Sequence, residues 1–393
     1  MRRVLPVIVI SQFFCISLWF AGNAIMPELL KHFHLPTDFL SYLTSAVQLG
    51  FITGTLVIAV FTISDRFSPS HVFFISSILA GLANLGMTIE NVNPAGLLFF
   101  RFLTGFFLGG IYPVGMKIAS DYYRGGLGKA LGFLVGALVV GTAFPHILKS
   151  ITSNLPWKYV IISTSVLSSI GGLAMLMLVP NGPYRKPGQQ LNPGAFIKGF
   201  STANFRSVAF GYFGHMWELY TFWAFVPVML ATYQSNHPEA ALNIPLLSFL
   251  IIGCGGPACV FSGLLSQSLG AKKVAVISLC LSGLCCLSSP LFLFSASLPL
   301  FTGFLFFWGL VVIADSPLFS TLVAQNASEE TRGSALTIVN CIGFSITIVS
   351  IQLLNALSGI FNSRYVYMVL AIGPVLGLLA LLNYNEMSRR SSE

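Results

Sequence analysis

The chain has 393 residues, of which 55% are apolar and only 8% are charged, and its formal net charge is +8. Soluble proteins carry charges on about 25% of their residues because their surfaces must be hydrated, so this composition excludes an ordinary soluble fold. No block of basic residues interleaved with aromatic residues occurs, so the positive balance does not indicate a nucleic-acid partner. The sequence therefore predicts an integral membrane protein.

Apolar stretches long enough to cross a bilayer as helices, about 20 residues each, follow one another along the chain. The first begins after Arg2 and Arg3 and is too long for the apolar core of a cleavable signal peptide. Ten or eleven spans are the alternative, if two segments re-enter the membrane or are wrongly divided. We expect an all-α polytopic membrane protein with twelve transmembrane helices, at Val4–Pro27, Ser41–Ile63, Val72–Met87, Gly96–Ala119, Ala130–Ile147, Val160–Val179, Ser207–Thr232, Pro245–Gln267, Val274–Phe294, Leu298–Ala324, Ser334–Gly359 and Tyr365–Leu382.

The distribution of Lys and Arg predicts the orientation of these spans. With the N-terminus in the cytoplasm, the inner segments hold 15 of the 20 Lys and Arg residues, the outer segments hold four, and Arg101 lies within a span. An even number of spans returns the C-terminus to the same side. We therefore expect both termini to be cytoplasmic, in a bacterial inner membrane, and we interpret the net positive charge as a consequence of topology.

The second half of the chain repeats features of the first. A polar loop rich in Pro and Gly, Pro180–Arg206, separates six spans from six. We predict an N-terminal six-helix bundle at residues 1–180, a cytoplasmic linker at 181–206 and a C-terminal six-helix bundle at 207–393, related by an axis along the membrane normal. Three pairs of landmarks recur at offsets of 202, 204 and 205 residues: Asp65 and Gln267, Pro113 and Pro317, and the starts of Gly128-Lys-Ala-Leu and Gly333-Ser-Ala-Leu.

The six-plus-six arrangement, the basic linker and the repeated short loop resemble the major facilitator superfamily of secondary transporters. In that family the loop after span 2 runs roughly G-x-L-x-D-R-x-G-R-K. The N-terminal copy here keeps the Asp-Arg pair, whereas the C-terminal copy keeps glycines and lysines and has Gln in place of the acid. The resemblance implies a gating role for Asp65, Arg66, Gly263, Gln267, Gly270 and Lys272.

Other segments narrow the resemblance. Arg101-Phe-Leu-Thr-Gly105 is similar to a family pattern of span 4 that is linked to proton coupling. The family's antiporter pattern in span 5 is not matched, and spans 2 and 8 lack the arginines expected of nitrate transporters, so both functions are disfavoured. A bacterial subgroup of the superfamily resembles the chain in three further segments, Ile111–Lys117, Gly214–Tyr220 and Ala314–Pro317.

Ionisable side chains within spans are costly in hydrocarbon and therefore indicate function. Glu218 on span 7 is expected to exchange protons, with His215 one turn earlier on the same face. Asp315 precedes Ser316-Pro317, which predicts an acid at a broken helix. Structural hydrogen bonds, an ion pair that locks the two halves, and side chains that reach the membrane surface are the alternatives. We predict that proton coupling uses Glu218, Asp315, Arg101 and His215.

Polar and aromatic residues on the spans that line the cavity in this superfamily are the candidates for solute binding. They are Asn23, Trp19, Tyr112, Lys117, Tyr220, Trp217, Ser316 and Asn340. The two acids favour a cationic or zwitterionic solute, whereas Arg101 and Lys117 favour a small organic anion or an amino-acid-like solute. The seven cysteines lie in apolar stretches and are interpreted as packing residues. Gly128, Gly132 and Gly136 predict a small helix face for close packing.

These features predict a secondary active transporter that moves a small solute by alternating access, coupled to protons. An efflux pump for amphipathic or drug-like compounds is the alternative, and a non-transporting membrane receptor is the alternative from a different class. We expect no enzymatic activity, no cofactor and no metal site. The expected partners are the solute, protons and the lipid bilayer, without nucleic acid, and the protein is expected to be a monomer.

Overall fold

The computed structural model describes residues 4–123, 127–185, 194, 199–293, 297–327, 332–361 and 363–384. Every regular element within these ranges is helical. Ten helical segments of the described chain are long and apolar enough to cross a membrane. The two other predicted spans are also present: span 1 is broken into short helices, and span 7 is a 34-residue helix, Ala203–Asn236. The predicted all-α fold is thereby confirmed.

The helices agree closely with the predicted spans. Span 1 continues to His32, beyond its predicted end at Pro27, and spans 5 and 7 extend at both ends. The helices that form the spans are Val4–Ile16, Ala21–Ala24 and Met26–His32 (span 1), Phe39–Val60 (2), Pro69–Leu85 (3), Pro94–Leu108 and Tyr112–Tyr122 (4), Leu127–Ile151 (5), Lys158–Leu178 (6), Ala203–Asn236 (7), Ile244–Gly253 and Gly255–Leu269 (8), Ala271–Phe292 (9), Leu298–Ala314 and Ser316–Asn326 (10), Arg332–Ser358 (11), and Ser363–Val366, the 3-10 turn Tyr367–Ala371 and Ile372–Leu382 (12).

Spans 4 and 10 are interrupted at equivalent positions. Each has a new helix that starts one residue before a proline, at Tyr112 before Pro113 and at Ser316 before Pro317. Proline has no N–H group and clashes with the carbonyl of residue i−4, so it breaks a helix interior but is tolerated in a first turn. The prolines 204 residues apart therefore place a break in the same span of each half.

Spans 2 and 4 approach each other closely through glycines. A Cβ atom on Gly54 would lie 1.9 Å from the carbonyl oxygen of Phe106, and one on Gly105 would lie 1.9 Å from that of Val47. Such contacts are possible only without a side chain. The glycine face predicted on span 5 is different: a Cβ on Gly132 would meet nothing within 4 Å, and Gly136 approaches only Gly256. The prediction of close packing at Gly132 was therefore wrong.

The chain folds as two compact units. Unit 1 comprises Met1–Gln190 and Trp223–Val260, and unit 2 comprises Leu191–Phe222 and Phe261–Glu393. The second part of span 7 and much of span 8 therefore pack with unit 1, for example through hydrogen bonds between Ser150 and Asn243. The predicted division at residues 180 and 207 stays a prediction. Much of its linker, and both chain termini, lie outside the described residues.

Candidate functional site

A buried histidine and a buried aspartate form a pair in unit 2. Nδ1 of His215 on span 7 lies 2.8 Å from Oδ1 of Asp315, and the two side chains are 1% and 0% exposed. Asp315 occupies the break of span 10, where its carbonyl accepts the N–H groups of Leu318 and Phe319 at the start of the next helix. The break thus presents a carboxyl group inside the unit at a point where the helix is not continuous.

This pairing differs from the expected one. His215 was expected to act with Glu218, one turn away on span 7, but its described contact is with Asp315 across two spans. Oδ2 of Asp315 and Nε2 of His215 have no hydrogen-bond partner among the described residues. The pair therefore retains polar atoms that a proton or a solute group can engage, inside an otherwise apolar environment.

Glu218 lies in a separate pocket formed by spans 7, 9 and 10. Its Oε1 accepts the indole N–H of Trp308 at 2.6 Å and the thiol of Cys286 at 3.3 Å, and its Oε2 accepts the hydroxyl of Ser282 at 2.9 Å. Three donors surround one fully buried carboxyl group. Cys286 is thus not only a packing residue, because a thiol is a weak hydrogen-bond donor that can reach a buried acceptor.

Arg101 is the buried cation of unit 1. Its guanidinium is 0% exposed and donates hydrogen bonds to the carbonyl oxygens of Leu18 and Trp19 and to Oδ1 of Asn84. Leu18 and Trp19 lie where span 1 is interrupted, and the Leu18 carbonyl accepts only a long backbone hydrogen bond, from the N–H of Ala21 at 3.4 Å. Within the described residues Arg101 therefore braces a broken helix, and its described partners are neutral.

Asn84 on span 3 connects Arg101 to span 6. Its side-chain nitrogen lies within hydrogen-bond distance of the Ile161 carbonyl and of the hydroxyls of Thr164 and Ser165 on span 6. The network links spans 1, 3, 4 and 6 in unit 1. Sequence reasoning missed Asn84, although a fully buried amide in an apolar span is the kind of residue that the cost of polar groups in hydrocarbon would have revealed.

The loop after span 2, for which a gating role was predicted, is held by an ion pair and by hydrogen bonds. Lys117 on span 4 forms a salt bridge with Asp65, so Lys117 does not simply extend to the membrane surface. Arg185, after span 6, donates hydrogen bonds to the carbonyls of Asp65 and Phe67 at 2.9 and 2.8 Å. Arg66 donates to the hydroxyl of Thr62. The loop after span 2 is therefore connected to two other parts of unit 1.

The equivalent loop of unit 2 has a different contact. Lys272 donates to the carbonyl of Tyr384 at 3.1 Å and lies 4.9 Å from the centre of the tyrosine ring. Gly270 has a φ of 85°, a conformation that favours glycine at the entry to span 9. Gln267 is exposed near the end of span 8, and a Cβ on Gly263 would meet nothing within 4 Å.

The predicted solute-binding residues of unit 1 lie near the break of span 1. Asn23 donates to the hydroxyl of Thr44 at 2.8 Å, and the ring of Trp19 packs edge-on against Phe51 at 4.9 Å. Both side chains are buried. Tyr112 begins the second helix of span 4 and is partly buried.

The predicted residues of unit 2 are spread over several surroundings. Asn340 accepts the hydroxyl of Tyr212 at 2.7 Å, Tyr220 packs on Phe344, and Ser316 follows the acid at the break of span 10. Trp217 donates to the carbonyl of Val369 and lines an apolar groove of about 410 Å³ formed by spans 7, 11 and 12. That groove contains no ionisable lining residue, so it is not the place of proton chemistry.

Metal ligands are not clustered in the described ranges, where no group of three or more His, Cys, Asp and Glu side chains is arranged to hold a metal ion. The buried polar groups described above are the His215–Asp315 pair, Glu218 with its three hydrogen-bond donors, and Arg101 with its neutral acceptors.

Comparison with protein families decides the classification. The family model described as Major Facilitator Superfamily matches residues 8–351, with a second match at 208–392. The chain belongs to the major facilitator superfamily. This membership confirms the multi-pass membrane fold with two six-helix repeats and places the chain among transporters rather than enzymes.

Individual relatives of this superfamily member are distant. The niacin transporter NiaP of Acinetobacter baylyi is 33% identical over 129 residues, which cover 29% of this chain and 29% of that protein. The match thus spans less than a third of the relative. The solved structure of the proton:xylose symporter XylE, bound to 6-bromo-6-deoxy-D-glucose, has a TM-score of 0.73 and 12% identity, with coverage of 97% and 95%. The human organic anion transporter MFSD10 has a TM-score of 0.74 and 14% identity, with coverage of 97% and 99%. These two similarities concern the fold.

Proposed function

We propose that the protein is a secondary active transporter that couples the movement of a small solute to protons by alternating access. The observation that carries the proposal is the His215–Asp315 pair, buried at the break of span 10. Membership in a transporter superfamily supports solute movement. The pair supports the coupling, because it joins two groups that bind protons and leaves one atom of each without a described partner.

Protonation of this pair changes its hydrogen bonding. An ionised Asp315 accepts a bond from the imidazole, whereas a protonated carboxyl group is itself a donor and competes with the imidazole N–H. Because Asp315 also caps the second helix of span 10, this change acts at a discontinuous helix, where small rearrangements need not disrupt a continuous hydrogen-bond ladder. Glu218 is the second candidate for the coupling residue, and its three donors favour a supporting role.

The names of the similar proteins support a small solute without selecting one. They refer to niacin, xylose and organic anions, and one of the three names a proton symporter. For this chain we propose operation as a monomer in a bacterial inner membrane with both termini cytoplasmic. The excess of Lys and Arg in the inner segments supports that orientation.

Reconstituted protein tests the proposal. Proteoliposomes carrying an imposed pH gradient should accumulate at least one labelled compound from a screen that includes D-xylose, nicotinate and nicotinamide. Accumulation should depend on the gradient and should be lost in a double Asp315→Asn, Glu218→Gln variant that still reconstitutes as folded protein. Undiminished gradient-driven uptake by the double variant would overturn the coupling proposal.

A further inference from the structure

Unit 1 contains buried polar side chains that the proposed coupling does not use, and four of them are considered together. Gln12, Gln48 and Thr142 are 0% exposed, and His146 is 2% exposed. Among the described residues, both amide atoms of each glutamine, the threonine hydroxyl and Nε2 of the histidine have no hydrogen-bond partner. Buried polar groups are normally satisfied, so four such residues in one unit require an explanation. They are called the polar face of unit 1.

Gln48 and His146 flank the break of span 1 from two other spans. Gln48 lies on span 2 between Thr44, which bonds Asn23, and Phe51, which packs on Trp19. His146 on span 5 meets the ring of Phe20 edge-on, with centroids 6.5 Å apart. The interrupted stretch from Trp19 to Asn23 therefore has an amide group on one side and an imidazole on the other. Transporter solute sites are typically built at discontinuous helices of this kind.

Thr142 and Gln12 extend the polar face. Thr142 is one turn before His146, so the two side chains share a face of span 5. Gln12 precedes Trp19 by seven residues on span 1 and packs at Gly115 of span 4, where a Cβ atom would lie 2.3 Å from Oε1 of the glutamine. Because Gly115 has no side chain, the glutamine amide fits between the two spans.

The basic side chains of unit 1 near these residues have described partners of their own. The terminal guanidinium nitrogens of Arg101 donate to the carbonyls of span 1 and to Asn84, whereas its Nε has no partner among the described residues. Lys117 pairs with Asp65, and Lys149 pairs with Glu28. The polar face itself consists of two amides, a hydroxyl and an imidazole without a carboxylate partner in the described chain. These groups offer both donors and acceptors.

We propose that the polar face of unit 1 binds an uncharged solute that carries hydroxyl or carboxamide groups. Such groups both donate and accept hydrogen bonds, so they match the amides and the hydroxyl of the face. A carboxylate only accepts hydrogen bonds, so it could not satisfy the amide oxygens of the face. The inference deepens the proposed function by naming the solute class, and it rests on that function.

A first test uses the stability of purified protein without added solute. An apolar substitute for an unsatisfied buried amide removes a desolvation penalty, so Gln12→Met, Gln48→Met and Thr142→Val should each raise the melting temperature by about 2 °C or leave it unchanged. The matched control is Asn84→Leu, which removes an amide with several partners and should lower it. A loss of stability in the Met and Val variants equal to that of Asn84→Leu would show that their polar groups are structural and would overturn the proposal.

A second test compares uncharged compounds with their carboxylate counterparts. The pairs are nicotinamide with nicotinate, and D-glucose with D-gluconate, each added to purified wild-type protein at saturating concentration. At least one uncharged member should raise the melting temperature more than its counterpart, because a ligand that binds the native state stabilises it. The shift should disappear in Gln48→Met and Thr142→Val. A shift produced only by carboxylates, or by no compound, would overturn the assigned solute class.

These tests distinguish the solute class from the proposed function. Binding in detergent needs no gradient, so loss of proton-driven uptake in the Asp315→Asn variant bears on coupling alone. A failure of the proposed function would appear as gradient-independent movement of a compound that still binds the polar face. A failure of the inference would appear as proton-driven uptake of a carboxylate that is unaffected by Gln48→Met.

Discussion

A buried ionisable side chain lies at a broken helix in both units, but its partners differ. In unit 1, Arg101 contacts the break of span 1 and donates to two backbone carbonyls and an amide oxygen, none of which titrates. In unit 2, Asp315 forms the break of span 10 and meets the imidazole of His215. A side chain with fixed neutral acceptors keeps the same hydrogen bonds, whereas a carboxyl group beside an imidazole changes its hydrogen bonding when a proton is added or removed. We therefore propose a stabilising role for Arg101 and a coupling role for Asp315.

The largest expected effect is on coupling, from Asp315→Asn. The amide keeps the shape of the side chain but cannot exchange a proton with His215. We expect gradient-driven accumulation in proteoliposomes to fall by more than about tenfold, a change equivalent to about 1.4 kcal/mol. Solute exchange without a gradient should persist in the same vesicles. Accumulation at the wild-type level would contradict the role given to the pair.

The second prediction concerns Arg101. Arg101→Met removes three hydrogen bonds in unit 1 and leaves carbonyls at the break of span 1 without these donors. Intramembrane hydrogen bonds contribute about 0.6 kcal/mol each, so we expect a loss of about 2 kcal/mol in the free energy of unfolding. Denaturant unfolding in detergent measures it. A variant that keeps the wild-type stability but has lost proton coupling would show that Arg101 takes part in coupling, and would contradict the stabilising role given to it.

The third prediction concerns Glu218→Gln. The substituted amide nitrogen is a donor and cannot accept. At the position of Oε1 it would lose the bonds from Trp308 and Cys286, and at that of Oε2 it would lose the bond from Ser282, whose hydroxyl would have to turn and accept instead. We expect about a fivefold decrease in the gradient-driven uptake rate, corresponding to about 1 kcal/mol. The intrinsic fluorescence of the protein should shift as the surroundings of the buried Trp308 change. A decrease larger than that of Asp315→Asn would make Glu218 the principal coupling residue.

The smallest effect is expected at the partly exposed pair Asp65–Lys117. Such ion pairs contribute less than about 1 kcal/mol, so Asp65→Asn should barely change the melting temperature but should change the transport rate if the loop gates. The exchanged pair Asp65→Lys with Lys117→Asp should restore the rate. If wild-type protein, the Asp65→Asn variant and the exchanged pair all transport at the same rate, the predicted gating role of Asp65 is wrong.

Much of the fold could be predicted because it follows from local physical rules. The apolar stretches indicated the spans, since backbone groups in a bilayer must be satisfied within a helix. Pro317 predicted the break of span 10, since the effect of proline on a helix depends on the chain itself. The break of span 4 at Pro113 was not predicted, although Pro113 was recognised as the equivalent residue of the other half. The extra length of spans 5 and 7 was missed because helix ends extend into water, where hydropathy gives no signal.

The partners of the site residues could not be predicted, because they depend on which spans meet. Helical spacing placed His215 and Glu218 on one face but gave no information about Asp315, 100 residues further along the chain. Likewise Cys286 and Trp308 are residue types that usually pack in apolar spans. Only the structure shows that they lie close enough to Glu218 to donate hydrogen bonds to it. The polar residues of spans 2 and 5 were missed because these spans are not among those that the resemblance places at the cavity.

Solute-induced proton movement tests the central claim most directly. A pH-sensitive dye inside proteoliposomes reports protons that enter when a transported compound is added outside without an imposed gradient. Wild-type protein should move protons together with the compound, and Asp315→Asn protein should move the compound down its own gradient without a change in internal pH. Equal proton movement by the two proteins, at equal solute flux, would contradict the assignment of coupling to the His215–Asp315 pair.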